Sequence, residues 1–180
     1  MIERQGHGVL MRDVAAAAGV SRQAVYLHFS SRAELMVATA RYGDQVRGLD
    51  GRLQRFREAA TGIDLLDAFI DFWGTYIPEI YGIARAMLLA KDTDEAVAAA
   101  WDDRMGSVRG GCREIVEALD RDGTLAPEWS PDEAVDLLWT LLSIRNWEDL
   151  TSGCGWSTGQ YVTRLQRLAK QTFVSGRRPL

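Results

Sequence analysis

Apolar residues recur at helical spacing along most of the chain. The longest run starts at Leu65 and has apolar side chains at positions 65, 66, 69, 70, 73, 76, 77 and 80, which is the stripe of an amphipathic helix. Pro78 lies inside this stripe and predicts a kink or an early end near Tyr76. Because no stretch alternates with the two-residue period of a β-strand, the pattern predicts an all-α protein.

Polar residues mark where these helices begin. Ser31 and Glu34 have the spacing of a capping box, in which the serine accepts a hydrogen bond from the amide of Glu34 and the carboxylate reaches back to the amide at the cap. Residues 92–95 repeat this spacing and predict a helix that continues to about Asp120. Three glycines inside that helix weaken the prediction, since each costs about 1 kcal/mol in a helix interior.

The C-terminal third contains two further helix starts. Ser130, followed by Pro131 and two acidic residues, combines a cap, a proline at the first helical position and negative charge at the positive end of the helix dipole. This signal leads into a predicted helix over residues 134–147 that is apolar nearly all round and must be covered on two sides. After a predicted loop over residues 151–155, residues 157–160 cap a last helix.

The composition is that of an ordinary globular protein, with 47% hydrophobic and 26% charged residues among 180. No apolar run approaches the roughly 20 residues that span a bilayer, and Met1 is followed by Glu3 rather than by a basic and apolar signal segment. We therefore expect neither membrane insertion nor secretion. The two cysteines, Cys112 and Cys154, provide no disulfide framework and suit a reducing cytoplasm.

Charge is unevenly divided along the chain. Residues 1–48 hold six arginines and four acidic residues, a net charge of +2, whereas the rest holds 15 basic and 21 acidic residues, a net charge of −6. A basic head on an acidic body is typical of a protein that meets a polyanion at one end. A random scatter of surface charge would also give so small a difference.

Two helices joined by a tight turn are predicted within residues 11–29. The alanine run at 15–18 lets a second helix approach closely, and Gly19 can adopt the left-handed conformation that ends the first helix. Val20 is expected to fill the corner of the turn and Ser21 to cap the second helix. Apolar side chains face inward, and the opposite face carries side chains suited to the major groove of DNA. The inward residues are Val14, Val25 and Phe29, and the outward residues are Arg22, Gln23, Tyr26, Leu27 and His28.

This segment closely resembles the N-terminal helix-turn-helix of the tetracycline-repressor (TetR) family of bacterial regulators. The stretches that carry the resemblance are Arg12-Asp13-Val14-Ala15, Gly19-Val20-Ser21, Val25-Tyr26-Leu27-His28-Phe29 and Ser31-Arg32-Ala33-Glu34-Leu35. The resemblance implies a DNA-binding domain over residues 1–48 and a helical-bundle domain over residues 49–180 that binds an effector and dimerises.

The resemblance also implies roles for single residues. The predicted DNA-binding residues are Arg12, Ser21, Arg22, Gln23, Tyr26, Leu27, His28 and Arg32. Tyr26 and Arg32 correspond to the tyrosine and the basic residue with which the family holds DNA phosphates. Arg22, Gln23 and His28 correspond to readers of base edges or of nearby phosphates, and Leu27 is suited to contact a thymine methyl group. Arg12 lies either near the DNA backbone or in an ion pair with Asp13 or Glu34.

Two features depart from the family pattern. The family precedes this motif with a helix that completes a three-helix unit, whereas only the residues Met1 to Arg4 are available here, so we expect the first helix to be largely missing. Leu10 stands where the family usually has a capping threonine, a change that costs about 1 kcal/mol of helix stability. We expect Leu10 to pack rather than to cap. Both departures concern DNA affinity rather than the fold.

The part of the chain beyond residue 48 is rich in aromatic residues and contains all six tryptophans. One interpretation is that large side chains fill a helical core. The other, which the resemblance favours for the group, is that several of them line a cavity for a small apolar or aromatic effector. The predicted effector contacts are Phe69, Trp73, Tyr76, Met87, Trp101, Met105 and Trp139.

The last two predicted helices carry more apolar surface than one bundle needs. If one side packs on the body, the other is left exposed, and a contiguous apolar patch usually marks an interface. We therefore expect a homodimer, as the resemblance also implies; the alternative is that helix 134–147 is the central helix of a monomeric bundle. The predicted interface residues are Leu138, Leu142, Tyr161, Leu165 and Leu168.

Enzyme chemistry has little support in the sequence. Residues 92–95 and the pair Asp102-Asp103 are acidic clusters of a kind found in metal-dependent enzymes, but a helix cap and a solvated helix face explain them better. His7 and His28 belong to the chain start and to the predicted DNA-facing helix, so no Ser-His-Asp set can be assembled. We expect neither a metal nor a cofactor.

The sequence thus predicts a cytoplasmic, ligand-responsive regulator of transcription, a repressor that a small-molecule effector releases from a pseudo-palindromic operator in double-stranded DNA. One alternative is a helical small-molecule binding protein that has lost DNA binding together with its first helix. A third interpretation, a helical enzyme, depends on the acidic clusters alone.

Overall fold

The structure is a computed structural model that describes residues 10–175. Its helices, in chain order, are α1 (Met11–Ala18), α2 (Arg22–His28), α3 (Arg32–Val46), α4 (Leu49–Arg52), α5 (Gln54–Arg57), α6 (Gly62–Ala90), α7 (Glu95–Arg121), α8 (Pro131–Leu141), α9 (Ile144–Glu148) and α10 (Thr158–Phe173). A π-helical turn follows α9, and the only extended pairing within these residues is one bridge between Leu125 and Val174. The predicted all-α class is confirmed. The prediction that the family's first helix is largely missing concerns residues before Leu10, which lie outside the described part of the chain. His7 lies outside it as well.

The chain divides into two compact units. The head unit consists of the chain up to Leu49 together with Glu79–Met105, and the body unit consists of Asp50–Pro78 together with the chain from Gly106 onward. Each of the two long helices, α6 and α7, contributes one part to each unit. The expected boundary at residue 48 adjoins the first break between the units. Because the head unit also takes in part of both long helices, the assignment of functions to 1–48 and 49–180 stays a prediction.

The core of the head unit joins α1, α2 and α3 to segments of α6 and α7. The buried side chains of this core are Met11, Ala15, Val25, Ala33, Leu35, Met36, Ala40, Ile83, Ala86, Met87 and Val97. Two ion pairs fix the end of α3: Asp44 lies 2.7 Å from Arg104, and Arg47 lies 3.8 Å from Glu79. The helix-turn-helix is therefore anchored to the long helices by apolar packing and by partly buried charge pairs.

The core of the body unit is formed by α6, α7, α8 and α10. Its fully buried side chains include Leu66, Ile70, Ile77, Ile115, Leu119, Leu138, Tyr161 and Phe173. The indole nitrogen of Trp73 donates to the carbonyl of Leu142 at 2.6 Å, and that of Trp129 donates to the carbonyl of Thr172 at 2.8 Å. These bonds satisfy polar atoms of two large side chains that the apolar packing would otherwise isolate.

Several helix starts are those predicted from the sequence. Ser130 and Glu133 form a complete capping box at α8, with Pro131 in the first turn, and Ser157 and Gln160 do the same at α10. The prediction of a long helix ending near Asp120 is also confirmed, since α7 reaches Arg121 in spite of its interior glycines.

Two capping predictions need correction. Ser31 accepts from the amide of Glu34 at 3.1 Å as expected, but the Glu34 carboxylate accepts from the amide and hydroxyl of Ser30 instead of reaching the cap residue itself. At α7 the cap is Asp94, whose carboxylate accepts from the amides of Ala96 and Val97, and not Asp92. In both cases the carboxylate accepts from amides that are one or two positions away from the expected ones.

Two predicted interruptions and one predicted continuous helix also differ from the structure. The early end expected at Pro78 is wrong, because α6 continues to Ala90 with buried apolar residues on both sides of the proline. The predicted helix over 134–147 is broken instead, since α8 ends at Leu141 and Ser143 caps the short α9 through the amide of Asn146. Within the expected loop at 151–155, the chain continues the π-helical turn Asp149–Gly153. Among residues 10–175, no helix combines the length and the apolar character that a membrane-spanning segment requires.

Candidate DNA-binding site

The turn between α1 and α2 has the geometry that the sequence predicts. Gly19 has a φ of 67°, in the left-handed region that favours glycine, and the amide of Val20 donates to the carbonyl of Ala15 at 3.0 Å. The Ser21 hydroxyl then accepts from the amide of Ala24 at 3.1 Å and caps α2. Gly19 ends α1 and Ser21 caps α2 two residues later, and together they define a tight turn between the two helices.

The inside of this turn differs from the prediction in one respect. Val20 is 46% exposed, so the expectation that it fills the corner is wrong. Of the alanine run only Ala15 is buried. The space between the helices is filled by Ala15, Met11 and Val25, with Val14 and Phe29 packed against the same core.

The outward face of α2 is a continuous exposed surface. The side chains on it are those of Arg22, Gln23, Tyr26, Leu27 and His28, all of which are exposed. Leu27 is 80% exposed, which is unusual for a leucine without a partner surface. The guanidinium of Arg22 lies 5.4 Å from the ring centroid of Tyr26, within the range of a cation–π contact. This face therefore presents a positive charge, hydrogen-bond donors and an apolar tip on one short helix.

The turn from α2 into α3 positions the remaining predicted contact. Arg32 is the first residue of α3 and is partly buried. Two residues later, the hydrogen bonds that the hydroxyl and the amide of Ser30 donate to Glu34 hold the pKa of that carboxyl below its usual value. Glu34 consequently stays ionised and ties the end of α2 to the first turn of α3.

The structure at the start of α1 bears on the expectations for Arg12 and Leu10. Arg12 pairs with Asp13 at 3.5 Å, which is one of the two ion pairs considered for it. Leu10 does not cap, as expected, but it is 45% exposed, so the expectation that it packs is wrong. Instead its amide donates to the Asp13 carboxylate at 3.0 Å, which satisfies one of the free amides at the helix start.

The predicted effector contacts divide between the two units. Met87 and Trp101 belong to the core of the head unit, and Met105, half-buried, is also in that unit. In the body unit a chain of ring contacts, which we call the aromatic cluster, joins α5 to α6. It consists of Phe56, Phe69, Phe72, Trp73 and Tyr76, with successive ring centroids 5.1 to 6.4 Å apart.

Two aromatic rings of the body unit carry an arginine on one face. The guanidinium of Arg52 lies 5.6 Å from the ring centroid of Tyr76, and that of Arg109 lies 5.7 Å from the ring centroid of Trp139.

Phe56 and Phe72 were not among the predicted contacts. The helical spacing of Phe72 from Phe69 and Tyr76 indicates that Phe72 belongs to the aromatic cluster. Nothing in the sequence indicates that Phe56, on a separate short helix, belongs to it too.

The predicted dimer residues are largely unavailable. Leu138, Leu142, Tyr161 and Leu165 are all buried within the single chain, and only Leu168, at 46%, is exposed. The expectation of two surplus apolar faces is therefore wrong. The stripe of α10 packs on α6 instead, where Lys170 pairs with Asp67 at 2.7 Å and Gln166 donates to the Asp67 carbonyl.

Comparisons with known proteins agree with this geometry. Residues 1–39 match the sequence profile of the bacterial regulatory proteins of the tetR family. A comparison with curated protein sequences gave no match. The whole chain is similar in structure to a protein from Saccharomonospora viridis described as a transcriptional regulator and solved in complex with choline (TM-score 0.82, 16% identity, 97% of this chain and 92% of that chain covered).

Two further solved structures are similar. One is the fatty acid degradation regulator FadR from Bacillus halodurans, with a TM-score of 0.72, 17% identity and coverage of 98% of this chain and 94% of that chain. The other is a bacterial regulatory protein in the tetR family from Rhodococcus RHA1, with a TM-score of 0.70, 19% identity and coverage of 95% and 90%. At these identities the likenesses show a shared fold.

An exposed, capped helix after a glycine turn, set at the head of an otherwise helical chain, is the arrangement of a helix-turn-helix motif. The sequence match assigns residues 1–39 to the bacterial regulatory proteins of the tetR family. The likeness of the whole chain to solved regulators shows that it shares their fold.

Proposed function

We propose that this protein is a ligand-responsive repressor that binds a pseudo-palindromic operator as a homodimer and leaves it when a small molecule binds the body unit. The observation that carries the proposal is the outward face of α2, where five side chains stand exposed without an apolar core to join. A helix of this kind fits the major groove, where its first residues reach base edges. Each head reads one half-site, so a two-fold dimer reads a palindrome.

The predicted DNA contacts keep distinct roles in this proposal. Arg22 and Gln23, at the start of α2, are the readers of base edges, and His28 reads a base or a nearby phosphate. Tyr26 and Arg32 hold phosphates on either side of the groove, and Leu27 contacts a thymine methyl group. Ser21 acts by capping α2, and Arg12, paired with Asp13, lies at the edge of the contact surface.

The proposed effector site is the aromatic cluster of the body unit. Phe69, Trp73 and Tyr76 are buried there, and their contacts with Phe56 and Phe72 form a surface suited to a flat or apolar molecule. The guanidinium over Tyr76 shows that a cation can approach one of these rings. Choline, with which the Saccharomonospora viridis protein was solved, is therefore a reasonable first probe beside neutral aromatic compounds.

A mobility-shift assay with the DNA that flanks the protein's own gene tests the proposal. We expect the intact chain to bind one such fragment in preference to a scrambled fragment of the same length, and at least one probe of the aromatic cluster to release it. Effector binding can shift the equilibrium only through its different affinities for the two states of the protein. Release by choline or an aromatic compound without any change in an unrelated helix-turn-helix control would support the proposal. Ligand binding without any DNA binding would support the alternative of a pure binding protein.

The dimer is proposed through the exposed face of α10. Leu168 is the exposed large apolar residue of that helix, so Leu168→Glu should place two carboxylates in the interface and shift a dimer toward monomers at micromolar concentration. Leu89→Glu is the matched control, because Leu89 is exposed to a similar extent, at 50%, on α6. Sedimentation equilibrium decides the question. A wild-type chain that sediments as a 20.0 kDa monomer, or a Leu168→Glu chain that stays dimeric while Leu89→Glu dissociates, would contradict this interface.

A further inference from the structure

Tyr161 is a fully buried polar side chain of the body unit. It lies in the first turn of α10, its side chain is 0% exposed, and its hydroxyl has no hydrogen-bond partner among residues 10–175. A buried hydroxyl without a partner is destabilising, because it has lost its hydrogen bonds to water without replacing them. Native structures rarely keep such a group unless a water, an ion or a ligand supplies the bond.

Several other polar side chains packed in the body unit have hydrogen-bond partners. The indole nitrogens of Trp73 and Trp129 each donate to a backbone carbonyl at ordinary distance. Thr124 and Thr151 likewise donate from their hydroxyls to carbonyls nearby. The hydroxyl of Tyr161 differs from these groups and therefore needs its own explanation.

The position of the ring is fixed by a glycine on the facing helix. A Cβ on Gly74 of α6 would lie 2.6 Å from Val162 Cγ2 and 3.1 Å from Tyr161 Cδ1, so the ring edge rests directly on the α6 backbone. The neighbours of Gly74 along α6 are the buried Trp73 and, one turn on, Ile77. Trp73 is also a member of the aromatic cluster. The ring of Tyr161 thus packs on the segment of α6 that also carries Trp73 of the proposed effector site.

We propose that the Tyr161 hydroxyl is the buried hydrogen-bond donor of the effector site, and that the effector is an apolar molecule that presents a carbonyl or ether oxygen to it. This inference rests on the proposed function, because it names the chemistry of the molecule that the body unit senses. It also moves Tyr161 from the predicted dimer interface to the interior of the sensor.

The protonation state of Tyr161 supports a donor role. Burial raises the pKa of its hydroxyl above the ordinary value, so the group is protonated at neutral pH. A neutral hydroxyl in an apolar site prefers a neutral acceptor, since a charged group would have to leave water as well. Such a donor discriminates between two ligands of equal shape when only one of them carries the acceptor.

The experiment uses the intact chain with two pairs of probes that differ only in the acceptor. Acetophenone is compared with α-methylstyrene, in which a CH₂ group replaces the carbonyl oxygen, and 2-acetylnaphthalene is compared with 2-isopropenylnaphthalene as a larger pair. Binding is followed by tryptophan fluorescence in the wild type, in Tyr161→Phe and in the control Tyr42→Phe. Tyr42 is a suitable control because the residue is 68% exposed. The thermal midpoint of each free protein is measured beside it.

We expect the wild type and Tyr42→Phe to bind the ketone of at least one pair about tenfold more tightly than its hydrocarbon, which is the size of one hydrogen bond. Tyr161→Phe should bind both members of that pair equally, and its free form should melt at the same temperature as the wild type or higher. A lower midpoint for Tyr161→Phe would show that the hydroxyl already has a partner in the free protein, and would overturn the proposal. Equal binding in the wild type, a preference retained in Tyr161→Phe, or no binding of either pair would overturn it too.

These measurements involve no DNA. If the operator assay fails while the ketone preference depends on Tyr161, the sensor is right and the repressor function is wrong. If DNA is bound and released by choline while neither ketone binds, the repressor stands and the assignment of Tyr161 falls.

Discussion

The double variant Tyr26→Ala, Arg32→Ala should lose at least about a hundredfold in affinity for every DNA sequence, specific or not. The loss follows because each head gives up two contacts to phosphates, one of them charge-assisted, and a dimer gives up four. Removal of Arg32 alone should also reduce the slope of log affinity against log salt by about 2 for a dimer, since each arginine no longer displaces one condensed cation. Fluorescence anisotropy at several salt concentrations measures both quantities.

Two controls separate this effect from a change in overall charge or in sequence preference. Arg167→Ala removes an exposed arginine from α10 in the body unit and should leave both affinity and salt slope nearly unchanged. Arg22→Ala should instead weaken binding to the operator by about 1–3 kcal/mol for each base that the arginine recognises, and should leave nonspecific binding in place. Full affinity in the Tyr26, Arg32 double variant would refute the assignment of these residues to phosphates.

Gly111→Ala should lower the free energy of unfolding by about 1–3 kcal/mol, as expected for an overpacked core. A Cβ at this position would lie 2.6 Å from both Cε2 and Cζ of Phe69, so the ring must move, and its contact with Phe56 must change with it. The effect should be visible in urea denaturation as a lower midpoint with an unchanged slope. The same variant should weaken any ligand that binds at the aromatic cluster, because Phe69 is one of its buried rings.

Gly110→Ala is the matched control for this prediction. The two glycines are adjacent in α7, but a Cβ on Gly110 meets no atom within 4 Å. Alanine at 110 should therefore raise stability by about 0.5–1 kcal/mol, since it only removes the conformational freedom of a glycine in a helix. The two variants should differ in sign. Equal effects at both positions would mean that Phe69 does not rest on α7 in the way the structure has it.

The helix-turn-helix was predictable because everything that shapes it lies close in the chain. Gly19 ends α1 and Ser21 caps α2 through atoms no more than five residues apart, and the same is true of the caps at Ser130 and Ser157. Local steric and hydrogen-bonding preferences decide such features before any tertiary contact forms. The outward residues of α2 follow from the same periodicity, since Val25 alone must turn inward.

The ends of the long helices depended on distant residues. The amide of Gly62 at the start of α6 is satisfied by the carboxylate of Asp122, sixty positions away, at 2.7 Å. Pro78 does not end α6, because the apolar residues on both sides of it are buried by other helices, and that packing offsets the missing hydrogen bond. The helix-breaking rule for proline correctly identifies Pro78 as the position where α6 loses a hydrogen bond. The surrounding sequence does not show how much tertiary packing stabilises the helix there.

The sequence by itself thus determined the fold class, the order of most helices and the surface proposed to face DNA, because helix periodicity, caps and a glycine turn are local properties. Only the tertiary structure decided which apolar helix faces are buried within one chain. The stripe through Tyr161 and Leu165 looked like an interface by its spacing, but it is buried because Gly74 lets α10 lie directly on α6. An amphipathic pattern indicates that the apolar face of a helix must be buried. The surface that buries it depends on shape complementarity between residues far apart in the chain.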